Sequence, residues 1–356
     1  MPATLAIYLG RRYFAVALPL FGVIFFLIYA VDLIELFRRG ADSSRASAGA
    51  LAFLALLRTP FIAEETLPFV ALFAAMALFL VLSRRLELVS ARSAGVSAWQ
   101  FIAPVALAAA LLGLVATTLF NPFAASMKRR AESYESAVLR GGVASAGAIW
   151  LRQRSIDGQA IIHALGRGDG ALTQVEVYEF APNGDFQDRI DAAGMQLEAG
   201  RWRMSDAKVT APNAPPASAD TYYLATQMTQ REVDQALDSP DTVPFWSLPA
   251  AADLAERAGV NAGPYRSRFQ ELMARPVLLA AMALLAGCFS LRFFRMGGVG
   301  IMVSGGVLSG FVLYIVTKLA SEFGNVGLLG PLAAGWAPAL LACVVGGTVL
   351  LYLEDG

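Results

Sequence analysis

The chain has two cysteines and one histidine in 356 residues. Cys288 and Cys343 both lie in apolar runs, so neither a disulfide framework nor a cysteine-rich metal site can be assembled. His163 stands alone in a segment that reads as a strand, with no second histidine to complete a metal site or catalytic pair. Charge is scarce as well: 16% of residues are Asp, Glu, Lys or Arg, where ordinary soluble domains carry roughly 25%. The 28 basic residues are balanced by 28 acidic ones, which gives no overall attraction for a polyanion. The phosphate loop G-x-x-x-x-G-K-[ST] does not occur, and neither does the serine hydrolase elbow G-x-S-x-G. Gly297-Gly298-Val299-Gly300 opens an apolar run and lacks the strand–turn–helix setting of a dinucleotide site.

What is abundant is apolar: 56% hydrophobic residues and a mean hydropathy of +0.55. The few charges are unevenly spread. Residues 124–270 hold 15 Lys/Arg and 18 Asp/Glu, whereas the other 209 positions hold 13 and 10. The pattern reads as a membrane protein with one polar insert. A span needs about 20 apolar residues, and six runs qualify: Tyr13–Phe37, Pro60–Leu82, Gln100–Phe123, Leu272–Leu291, Gly298–Ala320 and Pro331–Leu353. The first reads as a retained span, because no small-x-small cleavage site follows it.

Orientation follows the arginines. With both termini cytoplasmic, Arg11, Arg12, Arg84, Arg85, Arg92, Arg292 and Arg295 lie inside, and Arg38, Arg39, Arg45 and Arg58 lie outside. The insert then faces outward, and the four outer arginines call for a reason. The division expected is residues 1–123 with three spans, 124–265 as the insert with flanking helices, and 266–356 with three more spans.

Within the insert, short alternating segments (Ala148–Arg154, Gln159–Leu165, Thr173–Phe180, Phe186–Ala192, Arg201–Val209 and Thr221–Met228) are separated by turn residues. Trp202 and Met204 share one face, with Arg201 and Arg203 on the other. The alternation slips near Ser205-Asp206, which predicts a bulge or a turn. Six or more strands at this spacing predict a sandwich or jelly roll. Leu248–Ala258 reads as a short helix, and a second helix runs from Pro264 into the fourth span.

Residues 84–97 join spans 2 and 3 on the cytoplasmic side and read as a helix, with Leu88, Ala91 and Gly95 on one stripe and Glu87 about one turn before Arg92. One reading is a surface helix resting on headgroups. The other is a coupling helix whose small-residue face docks a cytoplasmic partner, with Glu87 offering a charge-assisted contact. In span 5, Gly306-x-x-x-Gly310 allows close helix approach. Lys318 and Glu322 form an i, i+4 pair near its outer end.

Arg58-Thr59-Pro60, Leu67-Pro68-Phe69, Arg85-Leu86-Glu87-Leu88-Val89 and Ala94-Gly95-Val96-Ser97 follow one another in an order that resembles the LptF/LptG permease family of the lipopolysaccharide exporter. Gly310-Phe311-Val312-Leu313-Tyr314 and the stretch from Gly330-Pro331 to Pro338 resemble the same family, as does the layout along essentially the whole chain. The resemblance implies an α-helical membrane protein with six transmembrane helices and an inserted periplasmic all-β jelly-roll domain. It implies one permease subunit of an ATP-driven ABC transporter in the inner membrane of a Gram-negative bacterium, without catalysis or cofactor of its own. Its partners would be an LptF-like permease, an LptB-like ATPase dimer, an LptC-like periplasmic bridge protein and lipopolysaccharide. On this reading Arg85, Glu87, Leu88, Ala91 and Gly95 couple to the ATPase. Arg38, Arg39 and Arg45 meet lipid headgroup phosphates, against the alternative of pairing with Asp32, Glu35 and Asp42. Gly306, Gly310 and Phe311 form a subunit seam, against the alternative of generic packing inside the membrane. Two rival functions stand beside this one: a membrane enzyme acting on lipid-linked substrates, for which Glu64-Glu65 is the only paired carboxylate near the membrane face, and a mechanotransmission subunit that passes no lipid through itself.

Overall fold

The structure is a computed structural model that describes residues 3–40, 47–87, 93, 95, 97–139, 143–144, 149–155, 158–168, 171–212, 215–226, 229, 233, 239–257, 261–293 and 299–355. Helix α1 (Ala3–Gly40) runs unbroken for 38 residues, with Pro19 inside it. The expected first span therefore extends further at both ends, and Arg11 and Arg12 are helical rather than flanking. Leu9, Tyr13 and Ala17 recur every four residues, and this stripe is buried in the helical core. The rest of α1 is a continuous apolar surface: Val23, Phe26 and Ile34 are each more than 60% exposed. An apolar surface of this extent is at home in lipid rather than in water.

The stretch after α1, expected as a loop followed by a span from Pro60, is organised differently. Helix α2 (Ala48–Glu65) is capped by Ser47, whose hydroxyl accepts from the Ala50 N–H at 3.2 Å. It ends at Thr66, and α3 (Leu67–Arg84) begins at once. The break sits there because Pro68 has no N–H to continue the ladder, while the Thr66 N–H and hydroxyl both donate to the Ala63 carbonyl. Pro60 lies inside α2 and does not start a span. Helix α4 (Ala98–Val115) is capped by Ser97 and passes through one π-helical turn (Ala116–Phe120) into α5 (Asn121–Leu139). Leu51, Leu54, Ala55 and Leu57 of α2 close a small core against Leu36 of α1 and Ala131 of α5.

The insert is one antiparallel sheet: β1 (Val143–Ala144), β2 (Ile149–Ser155), β3 (Gly158–Gly168), β4 (Ala171–Phe180), β5 (Phe186–Glu198), β6 (Arg201–Thr210) and β7 (Ala217–Ala225). From β2 to β7 each strand pairs with the next in sequence, and β1 adds to β3. The expected jelly roll is thus a single meander among the described residues, without a crossover between two sheets. The sheet is nonetheless curled. Ile162, Val177, Ile190, Trp202 and Met204 are at most 1% exposed, which a flat sheet with one open face could not achieve. Gln153 on β2 brings the two ends together: its side-chain oxygen accepts from Trp202 Nε1 at 3.0 Å, and its amide donates to the Ala225 carbonyl of β7 at 3.1 Å. The predicted irregularity at Ser205-Asp206 is present. Asp206 has φ +52°, a local kink of the backbone instead of a bulge, since the β5–β6 register is the same on both sides, at Gly194↔Ser205 and at Asp191↔Lys208.

After the sheet come α6 (Leu248–Arg257), α7 (Gly263–Phe293), α8 (Val299–Asn325) and α9 (Pro331–Asp355). As expected, the second of these runs from beside Pro264 straight into the fourth apolar run. Helices α3, α4 and α7 are the centre of the bundle, with Val70, Phe79, Ile102, Leu279 and Met282 in its core. At Gly113 a Cβ would lie 2.7 Å from the Pro276 Cα, so α4 and α7 touch backbone to backbone. Among the described residues, six helices are long and apolar enough to cross a membrane, and the sheet is inserted between the third and the fourth.

Gln153→Leu leaves the Trp202 indole N–H buried without an acceptor, a loss worth about 1–3 kcal/mol. Hydrogen exchange over β2, β6 and β7 is expected to accelerate in this variant. Exchange unchanged from the parent chain would show that the sheet ends are held together by something else.

Candidate functional site

Three of the five expected coupling residues, Arg85, Glu87 and Gly95, are among the described residues, while Leu88 and Ala91 lie outside them. Helix α3 stops at Arg84. The chain turns at Arg85-Leu86, with the Leu86 N–H on the Ser83 carbonyl at 3.1 Å and Leu86 at φ +59°. Gly95 has φ +84°, a conformation that glycine adopts without strain. Glu87 points back onto α1: the Tyr8 hydroxyl donates to Oε2 at 3.0 Å, and Arg12 Nη1 lies 3.4 Å from both carboxylate oxygens. The first turns of α1 and the end of α3 are therefore at one end of the bundle, as the arginine count requires.

At the other end of α1, Glu35 is flanked by two guanidinium groups. Arg38 Nε and Nη2 both donate to it at 2.9 Å, and Arg39 Nε donates at 2.7 Å. Arg45 and Asp42 lie outside the described residues. Arg58, the remaining outer arginine, faces Asp32 at 3.6 Å and Glu135 at 3.9 Å. The local pairing considered from the sequence is thus present for Arg38 and Arg39, through Glu35. Asp32 serves Arg58 instead. Arg38 is still 76% exposed at its side chain, so its planar fork keeps donors free for a further anion.

Gly306 and Gly310 lie against α3 of the same chain. A Cβ at Gly306 would meet Met76 at 2.5 Å, and one at Gly310 would meet Leu72 at 2.5 Å. The close approach read from the glycine spacing is used inside the subunit, where it seats α8 on α3. Phe311, 52% exposed, is on the outer face of α8 together with Leu308 and Ile315.

The sheet-side end of the bundle also holds a polar centre, of which the sequence reading singled out Glu64-Glu65, Lys318 and Glu322 but not their partners. Glu64, the penultimate residue of α2, is 1% exposed and forms an ion pair with Arg275 of α7. Asn121, at the start of α5, donates to Glu64 at 3.0 Å, and its oxygen accepts from the Phe245 N–H at 2.9 Å. Beside it, Arg268 lies near Asp241 and Glu271, at 3.4 Å and 3.3 Å, and Lys128 donates to Asp241 at 2.9 Å. Burial pushes the Asp241 carboxyl up, but Arg268 and Lys128 outweigh it and hold it below its ordinary 3.8. Lys318 reaches across to Glu65 at 3.2 Å instead of closing the expected pair with Glu322. Glu64, Glu65, Asp241, Arg268, Arg275 and Lys318 line a cavity of about 350 Å³ between the α2–α3 junction, α7, α8 and α9, with Leu278 and Met282 also in its wall. The signal that could have revealed this centre was Arg275, an arginine inside the fourth apolar run, which demands a partner.

A bundle of long apolar helices, exposed apolar flanks and a polar sheet hung between the third and fourth helices defines a multi-pass membrane protein. The sequence model described as "Lipopolysaccharide export system permease LptF/LptG" matches residues 7–352, and the chain belongs to that family. It is 21% identical over 341 residues to the lipopolysaccharide export system permease protein LptG of Escherichia coli strain K12, covering 93% of each chain. The protein of the same name in Escherichia coli O6:H1 is matched with the same identity and coverage. Membership makes the chain a transporter permease subunit, and the Glu64-Glu65 carboxylates are engaged by Arg275 and Lys318 respectively.

Breaking a buried ion pair on one side costs about 3–5 kcal/mol, whereas replacing both partners by apolar groups is often close to neutral. Glu64→Gln is expected to lower stability in detergent by that amount, and Glu64→Leu with Arg275→Leu to recover most of it. Denaturant unfolding of the three proteins checks this. A single variant as stable as the parent would show that the pair does not hold the bundle.

Proposed function

We propose that this chain is a permease subunit of an ATP-driven exporter that takes lipopolysaccharide from the inner membrane and passes it to a periplasmic bridge. The observation that carries the reading is the family match across residues 7–352, with the polar sheet set between the third and fourth apolar helices. On this reading the chain crosses the inner membrane six times, both termini are cytoplasmic and the sheet is periplasmic. An LptF-like permease completes the membrane unit, an LptB-like ATPase dimer docks on the segment that begins at Arg85 and Glu87, and an LptC-like protein receives the lipid. The curled sheet serves as the family's jelly roll, its inward side chains forming the apolar track.

Arg38 and Arg39 stand at the outer end of α1, where lipid phosphates lie. They are already paired to Glu35, yet their exposed guanidinium edges suit bidentate phosphate contact. Phe311 and the exposed face around it supply the contact to the second permease.

Purification in mild detergent, with identification of the bound subunits and lipid, tests the reading. An ATPase and lipopolysaccharide are expected to accompany the chain, and Glu87→Lys is expected to lose the ATPase while the membrane bundle still folds. A chain that carries neither an ATPase nor lipopolysaccharide would overturn the proposal.

A further inference from the structure

The contacts at the cytoplasmic end connect two things that the permease reading leaves separate: the docking segment and the first helix. Glu87 is the first residue past the turn that closes α3, and its carboxylate is held from a different helix. Tyr8 and Arg12 are four residues apart, so they lie one above the other on the same face of α1. The Arg12 guanidinium carbon stands 4.7 Å over the Tyr8 ring, which fixes both side chains toward the same acceptor. Three hydrogen bonds then converge on Glu87. The turn before it is tight, with leucine at φ +59° where glycine would be easier. Backbone conformation and side-chain partners thus both direct Glu87 at α1.

On the adjacent face of the same turns of α1, and one turn beyond, Leu9, Tyr13 and Ala17 are buried against the bundle core. The helix is continuous to Gly40, and its full 38 residues measure about 57 Å at 1.5 Å per residue. Its far end carries Glu35, Arg38 and Arg39. A displacement applied at the clamp therefore meets a rigid rod whose other end stands at the opposite membrane face.

We infer that Tyr8 and Arg12 are positioning residues that fasten the ATPase-docking segment to α1 through Glu87, so that movement of the segment is delivered to α1. The inference rests on the reading of Glu87 as the docking residue. The two roles are compatible on one carboxylate. Glu87 is 36% exposed at its side chain and Arg12 29%, and an ionised carboxylate offers about four acceptor positions. A cationic group of a partner can bind the exposed side while Arg12 and Tyr8 keep the other. A pair this open to solvent is individually weak, so it need not resist exchange between two arrangements.

The test uses the assembled complex in lipid nanodiscs or proteoliposomes, with three quantities measured on each variant: ATPase bound, ATP hydrolysed, and lipopolysaccharide released per ATP. Arg12→Ala is expected to assemble and hydrolyse ATP, with release per ATP falling about fivefold or more. Tyr8→Phe, which removes only a hydroxyl, is expected to fall less. Arg12→Lys keeps the charge at the same reach and is expected to restore most of the loss, which a merely structural role for the arginine side chain would not predict. Release per ATP unchanged in both Arg12→Ala and Tyr8→Phe would overturn the clamp while leaving docking intact. Loss of ATPase binding in Arg12→Ala would also overturn it, because Arg12 would then belong to the docking surface. Normal ATPase binding by Glu87→Ala would instead remove the docking reading on which the inference stands. If Arg12→Ala fails to fold, Tyr8→Phe decides alone on the same ratio.

Discussion

The buried ion pair between Glu64 and Arg275 is the constraint around which the sheet-side end of the molecule is arranged. Taking both charges out of water is costly unless they find each other and their remaining hydrogen-bonding positions are filled. That requirement fixes where α2 must end, because Glu64 has to reach α7. It also fixes the start of α5, because Asn121 fills a second position on the carboxylate and passes its own oxygen to the Phe245 N–H. The segment leaving the sheet is thereby tied to the helix entering it, at a point where α2, α5 and α7 meet. Lys128, Asp241, Arg268 and Glu271 extend the network, and Phe61 supports it from below, its ring 3.8 Å from the Lys128 ammonium. The stretch around Asp241 and Phe245 that follows the sheet is thereby held to α5 and α7.

Much of this architecture was legible in the sequence, for physical reasons that differ from element to element. The six apolar runs were visible because lipid demands length and composition, and helices answer both. The β-strands were visible because alternation has a period of two: Trp202 and Met204 are buried while Arg201 and Arg203 stay exposed. The slip at Asp206 was visible because the period of two breaks there. The sheet's closure was not, since nothing local to Gln153 says that its amide bridges β2 to β6 and β7. Nor was α2, which looked like a loop because Arg58 and Pro60 interrupt its apolar pattern. Pro60 instead lies inside the helix, and Arg58 faces Asp32 and Glu135.

The expected functional residues divide along the same line. A residue type at a given place is readable; its partner is not. Glu87 was singled out for its charge on an expected cytoplasmic helix, but Tyr8 and Arg12 are more than seventy positions away and carry no motif. The glycines of α8 announced a close approach without saying to what, and the answer is Met76 and Leu72 of the same chain. Arg38 and Arg39 were noted as an exception to the inner bias of arginines. Their pairing with Glu35 explains how two cations are held at that position without excluding a third, anionic, neighbour.

The central claim is that lipopolysaccharide leaves the membrane along the inward face of the curled sheet, driven by a partner's ATP hydrolysis. A photo-crosslinking side chain placed at Met204 or Ile162, both at 0% exposure on that inward face, tests it most directly in membranes that contain the whole complex. Capture of lipopolysaccharide that appears with ATP and is absent without it is the predicted result. Equal capture with and without ATP, or none under either condition, would contradict it.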